Sequence, residues 1–314
     1  MTYAKGSLIS AADYNTFSTN VNAIWGVGTG NSGYGCTNTV GTATTAVLIG
    51  SSEWTTLLAR GNSTALHQGT TWSSGTSQTS QSHINVISTL SSDITSLSTN
   101  KNNTDADNLT TTPGIISTTN STSWTTTKTY TFTVAFSGSG TVQDAARAYF
   151  NAGGKIQVSY SHTGGTNVGT PGSKAYDWSS LCTACGTTIF AYGSTTKSGG
   201  SGSTNILATT TGYFAPLSVS PTYTDLFKQF SANSPYTSNY VLLQAYTDTT
   251  TDPDSRGGKG STLTFKVTFY DGHGDAYGTD PTGTWGVTVD RVAPNTLKLN
   301  NVPTATFTDV GWGP

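Results

Sequence analysis

The residues that come closest to forming a chemical site are Asp271-Gly-His-Gly-Asp275, which alternate carboxylate and imidazole groups. This order resembles the opening of a calcium loop. An EF-hand loop, however, needs glycine at position six and glutamate at position twelve, where this chain has Ala276 and Thr282. Aspartate and glycine are also common turn residues. We therefore predict a plain hairpin connection between strands that end at Tyr270 and begin at Trp285, with bound calcium as the alternative.

The second candidate site is the Cys-Thr-Ala-Cys segment formed by Cys182 and Cys185. A structural zinc ion needs four ligands, usually from two such pairs. A redox pair of the thioredoxin type would need a βαβ setting, which the sequence does not show. We predict ordinary loop thiols and no metal or cofactor, with zinc as the alternative. The other conceivable ligands are Cys36, His67, His83, His162 and His273.

Catalytic patterns are otherwise missing from the sequence. Glycoside hydrolysis needs two carboxyl groups, and Glu53 is the only glutamate. There is no Gly-x-Ser-x-Gly elbow and no His-Glu-x-x-His pair. We predict that the chain is not an enzyme. The aspartates that could act are not paired by their local sequence, and they are Asp177, Asp225, Asp271 and Asp290.

The composition indicates a folded, weakly charged chain. Only 10% of its 314 residues are charged and the net charge is -2, so binding of nucleic acid through its phosphates is not expected. No apolar run approaches the length of a membrane span, and residues 1–10 lack the pattern of a secretory signal. Threonine and aromatic residues suit strands, so we expect a mainly β protein without membrane insertion.

The N-terminal segment predicts an amphipathic helix. Ser10 can cap it with Asp13 at the third helical position, and Gly26 can end it. Such a helix is marginal alone in water, so its aromatic face must be buried, either on the chain's own core or on a neighbouring subunit. We predict an oligomer or attachment face there, and its residues are Tyr14, Phe17, Val21, Ile24 and Trp25.

A second helical stretch follows. Ser52 predicts the cap of a helix that Gly61 interrupts. Further on, apolar residues repeat at three-four-three spacing over two heptads, with Ile84 one turn earlier. This heptad seam is short, so either it packs within the subunit or several copies associate through it. The seam residues complete the predicted oligomer face, and they are Ile87, Leu90, Ile94 and Leu97.

Beyond residues 101–113, which are rich in turn formers, the apolar period changes to two. We therefore predict a helical assembly or attachment region over 1–112 and an antiparallel β-sandwich over 113–314, an α+β fold that is mainly β. Inside the sandwich we predict one short helix, Asp144 to Asn151. The strands are predicted at 129–136, 155–160, 206–217, 240–246, 263–269 and 285–289.

Two segments resemble a family of tailed-bacteriophage virion structural proteins, often labelled tail or tail-fibre proteins. They are ISAADYNTFSTNVNAIWGVGTGNSGYG, with its GxGxxGYG turn, and DAARAYFNAGGKIQVSYSH. Cys36 departs from the pattern of this resemblance, because the similar proteins have glutamine at that position. The resemblance implies a virion part without naming which one, and we predict that it is made in the host cytoplasm and located in the tail or baseplate.

From this resemblance we expect a short fibre or adaptor that mediates assembly and host adsorption. Its partners would be other tail or baseplate proteins and further copies of itself, with a trimer preferred because phage fibres resemble trimers. Two alternatives are a capsid decoration protein and a module that binds cell-surface glycans. The glycan alternative would use aromatic residues on exposed loops, with Trp72, Tyr176 and Trp178 as candidates.

Overall fold

The structure is a computed structural model. It describes residues 10–28, 32–44, 49–79, 87–138, 142–201, 206–214, 217–249, 260–273 and 281–314. Helices make up 26% of the chain and strands 34%, so the predicted α+β, mainly β fold is confirmed.

The chain divides into two compact units, and each is discontinuous in sequence. The first unit comprises Met1–Thr110, Ser137–Gly153 and Ala293–Thr304. The second comprises Thr111–Phe136, Gly154–Val292 and Ala305–Pro314. The first division falls close to the predicted boundary at 112/113. Two later segments that we predicted within the sandwich cluster instead with the N-terminal helices.

The first unit is helical. Its first helix has the predicted capping box, because the Ser10 hydroxyl accepts from the Asp13 N–H and the Asp13 carboxylate accepts from the Ser10 N–H. The helices are α1 Ala11–Trp25, α2 Ser51–Gln68, α3 Ile87–Thr99 and α4 Val142–Asn151, with a short 3-10 helix at Ala106–Asn108.

Helix α2 corrects our prediction that Gly61 interrupts it. The helix continues to Gln68 and ends at Gly69, which has a left-handed conformation. The Trp72 ring packs directly over Gly61, where the ring atoms would overlap a Cβ atom. Glycine is therefore present for close packing and not as a helix stop. The helix begins at Ser51, and Gly50 rather than Ser52 occupies the cap position.

The second unit contains two antiparallel sheets. The first sheet has the strand order β1-β10-β3-β4-β5, and the second has the order β11-β2-β9-β8-β7-β6. A fifth helix, α5 Lys174–Cys185, lies between β3 and β4 in sequence. The strands are β1 Leu109–Asn120, β2 Thr127–Ser137, β3 Lys155–Thr163, β4 Thr187–Phe190, β5 Thr195–Ser198, β6 Ile206–Leu207, β7 Thr224–Phe230, β8 Tyr240–Thr247, β9 Thr262–Tyr270, β10 Thr284–Pro294 and β11 Thr304–Gly313.

Aromatic side chains join the two sheets face to face. Phe190 of β4 packs against Phe265 of β9, with ring centroids 5.4 Å apart. Tyr160 of β3 stacks on Phe227 of β7 at 6.0 Å. Because each pair links one sheet to the other and all four side chains are buried, the arrangement is a β-sandwich, as predicted.

Two details of the strand prediction were wrong. Strands β9 and β10 do not form a hairpin, because they belong to different sheets. The strand predicted over 206–217 is limited to Ile206–Leu207, since residues 208–214 form turns and loops and 215–216 lie outside the described residues. The sequence analysis also missed β1, β4, β5, β7 and β11.

Candidate functional site

The predicted oligomer face lies inside the first unit. The side chains of Tyr14, Phe17, Val21, Ile24 and Trp25 are 0 to 3% exposed and belong to one core cluster with those of Leu90, Ile94 and Leu97. The backbone of Ile87 starts α3, but its side chain lies outside the described residues. The chain thus uses this face for its own core, the first of the two alternatives that the sequence left open. A role for it in association stays a prediction.

Direct contacts account for the burial of α1. The Tyr14 ring meets Trp54 of α2 edge-on at 5.2 Å, and its hydroxyl donates to the Glu53 carbonyl across 3.2 Å. The Arg60 guanidinium lies 5.0 Å from the Trp25 ring centroid. The Tyr14 hydroxyl and the Trp25 ring are thereby engaged by α2, so α1 is fixed by α2 and not left as a free face.

The heptad seam of α3 is also directed inward. Asp93, on the same helix, is 7% exposed, and its Oδ2 accepts from the N–H groups of Ser73 and Ser74 at 2.9 and 2.8 Å. The chain segment after α2 is therefore tied to α3 by a buried carboxylate. The three described seam residues, Leu90, Ile94 and Leu97, are on the same helix as Asp93 and pack in the core of the first unit.

The two segments that carry the family resemblance meet in space. Asn151, at the end of α4, donates from Nδ2 to the Gly33 carbonyl across 2.9 Å, and it is 2% exposed. A Cβ atom on Gly35 would lie 2.6 Å from the Ala148 Cβ, and Gly35 has φ of 73°. Close approach and backbone conformation both require glycine there. We call this contact of Gly33, Gly35, Ala148 and Asn151 the motif junction.

Tyr34 fixes the turn side of the motif junction. Its hydroxyl donates to the Lys101 carbonyl at 2.8 Å and accepts from the Gln68 amide at 2.9 Å. The His67 ring packs edge-on against Tyr34 at 5.0 Å. The turn is thereby connected to α2 and to the chain after α3.

His67 is held neutral at this place. Burial lowers its pKa to about 4, and its Nε2 lies 3.2 Å from the Ala152 carbonyl. A carbonyl oxygen can only accept, so Nε2 carries the proton and donates it. His67 thus acts as a structural donor that joins α2 to the end of α4.

Cys36, where the sequence departs from the pattern expected from the resemblance, follows the turn directly. It is 1% exposed, and burial raises the pKa of its thiol to about 12. Its backbone N–H donates to the Trp25 carbonyl at 3.0 Å, a bond that any side chain permits. The departure therefore leaves the backbone of the turn in place.

Every side chain of helix α4 from Ala145 to Asn151 is buried, including that of Arg147. Arg147 is 1% exposed, and its guanidinium lies 3.7 Å from the Asp144 carboxylate. The helix starts at Val142, two residues before the predicted start at Asp144, which therefore lies in the first turn. Tyr149 and Phe150 are buried, and they belong to the first unit rather than to the sandwich core that we predicted.

Two of the three aromatic candidates for glycan binding, Trp72 and Trp178, pack inside their own units. Trp178 is fully buried on α5, where its ring meets those of Trp124 and Trp285 at 5.4 and 6.3 Å. Tyr176 on the same helix is half-buried. Trp72 belongs to the first unit, packs on its core and donates from Nε1 to the Gly75 carbonyl at 2.6 Å. Trp178 is therefore unavailable to an exposed platform, and Trp72 is engaged within its own unit.

Helix α5 was missed because we interpreted its residues one motif at a time. Ser173 caps the helix by accepting from the Tyr176 N–H at 3.1 Å, and Gly186 follows its last turn. A three-four apolar spacing between these signals would have predicted it. The buried apolar residues at this spacing are Ala175, Trp178, Leu181, Cys182 and Cys185.

The two thiols of α5 are therefore not loop thiols, which corrects our prediction. Cys182 and Cys185 are free and 2% and 0% exposed. Burial raises the pKa of each thiol well above its usual value. Within the residues that the structure describes, no group of three or more histidine, cysteine or acidic side chains is arranged to hold a metal ion.

Folding brings two aspartates together that no local pattern had paired. Asp177 of α5 is 1% exposed, and its carboxylate accepts from the Ser231 hydroxyl, from Asn233 at 3.2 Å and from Asn239 at 3.4 Å. Burial raises its pKa to about 6, these hydrogen bonds oppose the rise, and the nearby Asp271 charge adds to it.

Asp271 has a different partner. Its Oδ2 accepts from Lys174 at 2.7 Å, and Lys174 stands one helical turn before Asp177. Asn239 links the Asp177 carboxylate to the backbone that follows Asp271, because its Nδ2 donates to Asp177 and its Oδ1 accepts from the Gly272 N–H at 2.9 Å. Both carboxylates are thus engaged within the unit, although the Oδ1 atom of Asp271 is buried without a hydrogen-bond partner among the described residues. The remainder of the candidate calcium loop, 274–280, lies outside the described residues.

Comparisons with protein-family models, curated proteins and solved structures found no match. In the part of the chain that the structure describes, no helix combines the length and apolar character needed to cross a membrane.

Proposed function

We propose that this chain is a structural component of a tailed-bacteriophage virion, a short fibre or adaptor of the tail or baseplate that acts by binding and not by catalysis. The observation that carries the proposal is the motif junction. Two segments that resemble the same virion family, and that are separated by more than a hundred residues, pack on each other through Gly33 and Asn151. If each segment resembled the family only by chance, there would be no reason for the two segments to contact each other in the fold.

The polar clusters support a binding role. His67 is neutral and donates to a carbonyl, Asp177 is surrounded by donors, and the three cysteines are buried. These groups stabilise the interior and are poorly placed to react with a substrate. The large weakly charged surface instead suits contacts with other virion proteins.

The proposal is tested by locating the chain in particles. Phage particles should be purified from a lysate of the bacterial strain that encodes it, and the chain identified by mass spectrometry and by gold-labelled antibody in electron micrographs. Label at the tail or baseplate supports the proposal. Label over the head would instead support capsid decoration, and purified particles without the chain would refute a virion role.

The proposed self-association needs a separate measurement. Because the described part of the predicted face is buried in the core, a trimer would have to form through other surfaces. Light scattering on the full chain gives the mass directly, and a trimer mass supports the preferred assembly. A monomer at all concentrations would remove self-association from the proposal while leaving attachment to other virion proteins intact.

A further inference from the structure

The second sheet has an outer face that differs from its buried inner face. Along β2 the burial alternates, with Tyr130, Phe132 and Val134 fully buried and the threonines between them half-buried. Strands β7, β8 and β9 add half-buried aromatic and charged side chains in register with these threonines. We call these residues the outer face, and its main members are Tyr223, Lys228, Phe230, Tyr240, Lys266 and Tyr270.

One end of the outer face carries a row of three rings. Tyr270, Tyr240 and Phe230 are paired across β9, β8 and β7. Tyr270 and Tyr240 stack with centroids 4.6 Å apart and an angle of 18° between their planes. Phe230 follows Tyr240 at 5.3 Å. The row is rigid, because each ring packs on its neighbour in the next strand.

The other end carries a second aromatic pair. Tyr223 and Tyr246 meet edge-on at 4.7 Å. Tyr246 is six residues beyond Tyr240 on β8, so the two aromatic groups are separated by about 20 Å along the strand. An extended ligand could contact both groups, whereas a single small molecule could reach only one.

Two lysines lie between these ends. The Lys228 ammonium is 3.8 Å from the Tyr240 ring centroid, and the Lys266 ammonium is 4.0 Å from that of Tyr223. Neither forms an ion pair with any carboxylate that the structure describes. The acidic residue in the same rows, Asp225, accepts from the Gln244 amide at 2.6 Å. The outer face therefore holds two positive charges that are positioned by rings and that, among the described residues, lie outside ion-pair distance of a carboxylate.

We propose that the outer face binds an acidic polysaccharide, a chain of sugars that carries carboxylates. Its carboxylates would pair with Lys228 and Lys266, and its C–H surfaces would pack on the aromatic groups at both ends. Tyrosine and threonine hydroxyls supply the donors and acceptors that sugar hydroxyls need. This inference goes beyond the virion proposal and does not depend on it.

The charge pattern favours this ligand over two others. Two lysines and one aspartate give too low a charge density to hold a nucleic-acid backbone. Face-to-face association of two copies would bring the same unpaired lysines together, which is unfavourable. A polysaccharide with spaced carboxylates offers an anion for each of the two lysines and C–H surfaces for the rings.

The experiment uses the full chain and isothermal titration calorimetry. Oligosaccharides of hyaluronan, alginate and polygalacturonate are the acidic probes, and dextran of similar length is the neutral one. At least one acidic probe should bind, more tightly at low salt, and the double variant Lys228→Gln with Lys266→Gln should weaken it at least tenfold. Lys298→Gln, which changes a lysine in the first unit, is the matched control and should bind as the wild type does.

Several results would overturn the proposal. They are no binding of any acidic probe, equal affinity for dextran, or unchanged affinity in the double variant with circular dichroism like that of the wild type. If a thymidine oligonucleotide bound more tightly than every acidic oligosaccharide, the ligand of the outer face would be a nucleic acid and not a polysaccharide. A wild-type dimer that the double variant abolishes would assign the outer face to self-association. Antibody labelling of particles is independent of all these outcomes, so the two proposals can fail separately.

Discussion

The Asn151 side chain donates a hydrogen bond to the Gly33 carbonyl across 2.9 Å and is buried where it does so. The two residues are 118 positions apart in the chain. The bond holds the end of α4 against the glycine-rich turn after α1. It therefore joins the two segments on which the family resemblance rests.

Replacing Asn151 should destabilise the first unit. Asn151→Ala leaves the buried Gly33 carbonyl without this donor, and we expect a loss of about 1 to 3 kcal/mol in the free energy of unfolding. Urea denaturation followed by tryptophan fluorescence measures it. Asn103→Ala is the matched control, because the exposed Asn103 amide donates to Asn100 at the surface. Equal stability of the two variants would contradict a structural role for the junction.

A second prediction concerns Gly61 and Trp72. In an exposed helix, glycine to alanine stabilises by up to about 1 kcal/mol. Here Gly61→Ala should instead destabilise, by about 1 to 3 kcal/mol, because the new methyl group would overlap the Trp72 ring.

The double variant provides the check. With Trp72→Ala already present the overlap is gone, so adding Gly61→Ala should be neutral or stabilising. The coupling between the two changes is obtained from a double-mutant cycle on unfolding free energies. Additive effects on the unfolding free energy would contradict an overlap between the added methyl group and the Trp72 ring.

Asp177 should make the stability of the second unit depend on pH. Its pKa is about 6 in the folded chain, against 3.8 as the ordinary value, because burial penalises the charged form. A raised folded pKa means that this contribution is complete below pH 3.8 and is lost as pH rises through about 6. The full change is at most about 3 kcal/mol.

Asp177→Asn removes the titration and tests this sign. The wild type should lose stability relative to the variant between pH 4 and pH 7, and the difference is measured by denaturation at several pH values. Asp107→Asn, at an exposed position, serves as the control. A wild-type to Asp177→Asn difference that is constant across this range would contradict the prediction.

The three thiols should be inert in the folded chain. Cys36, Cys182 and Cys185 are buried, and burial raises their pKa values, so few thiolates form and reagents cannot reach them. Incubation with Ellman's reagent at pH 8 should release little colour until denaturant is added. Rapid reaction of one thiol in the native protein would show that its part of the core opens.

Local patterns were sufficient for several elements. The capping box of α1 and the strict alternation of β2, β3 and β9 predicted their positions, because short-range hydrogen bonds and a period of two depend only on neighbouring residues. Gly61 and the residues of α5 were misassigned for a different reason. The role of Gly61 depends on Trp72, and the α5 signals lay inside segments that we had interpreted as a glycan platform and as loop thiols.

The sequence by itself determined the fold class, the aromatic stripe of α1 and the low charge, since these follow from residue types and spacing. Tertiary structure decided what those features contact. It placed the aromatic stripe in the chain's own core and brought the Asp177 carboxylate close enough to Asp271 to feel its charge. It also joined Gly33 to Asn151 and put two lysines on the outer face. The physical reason is that an apolar stripe or a charge has many suitable partners, and only the folded backbone selects which of them comes within a few ångströms.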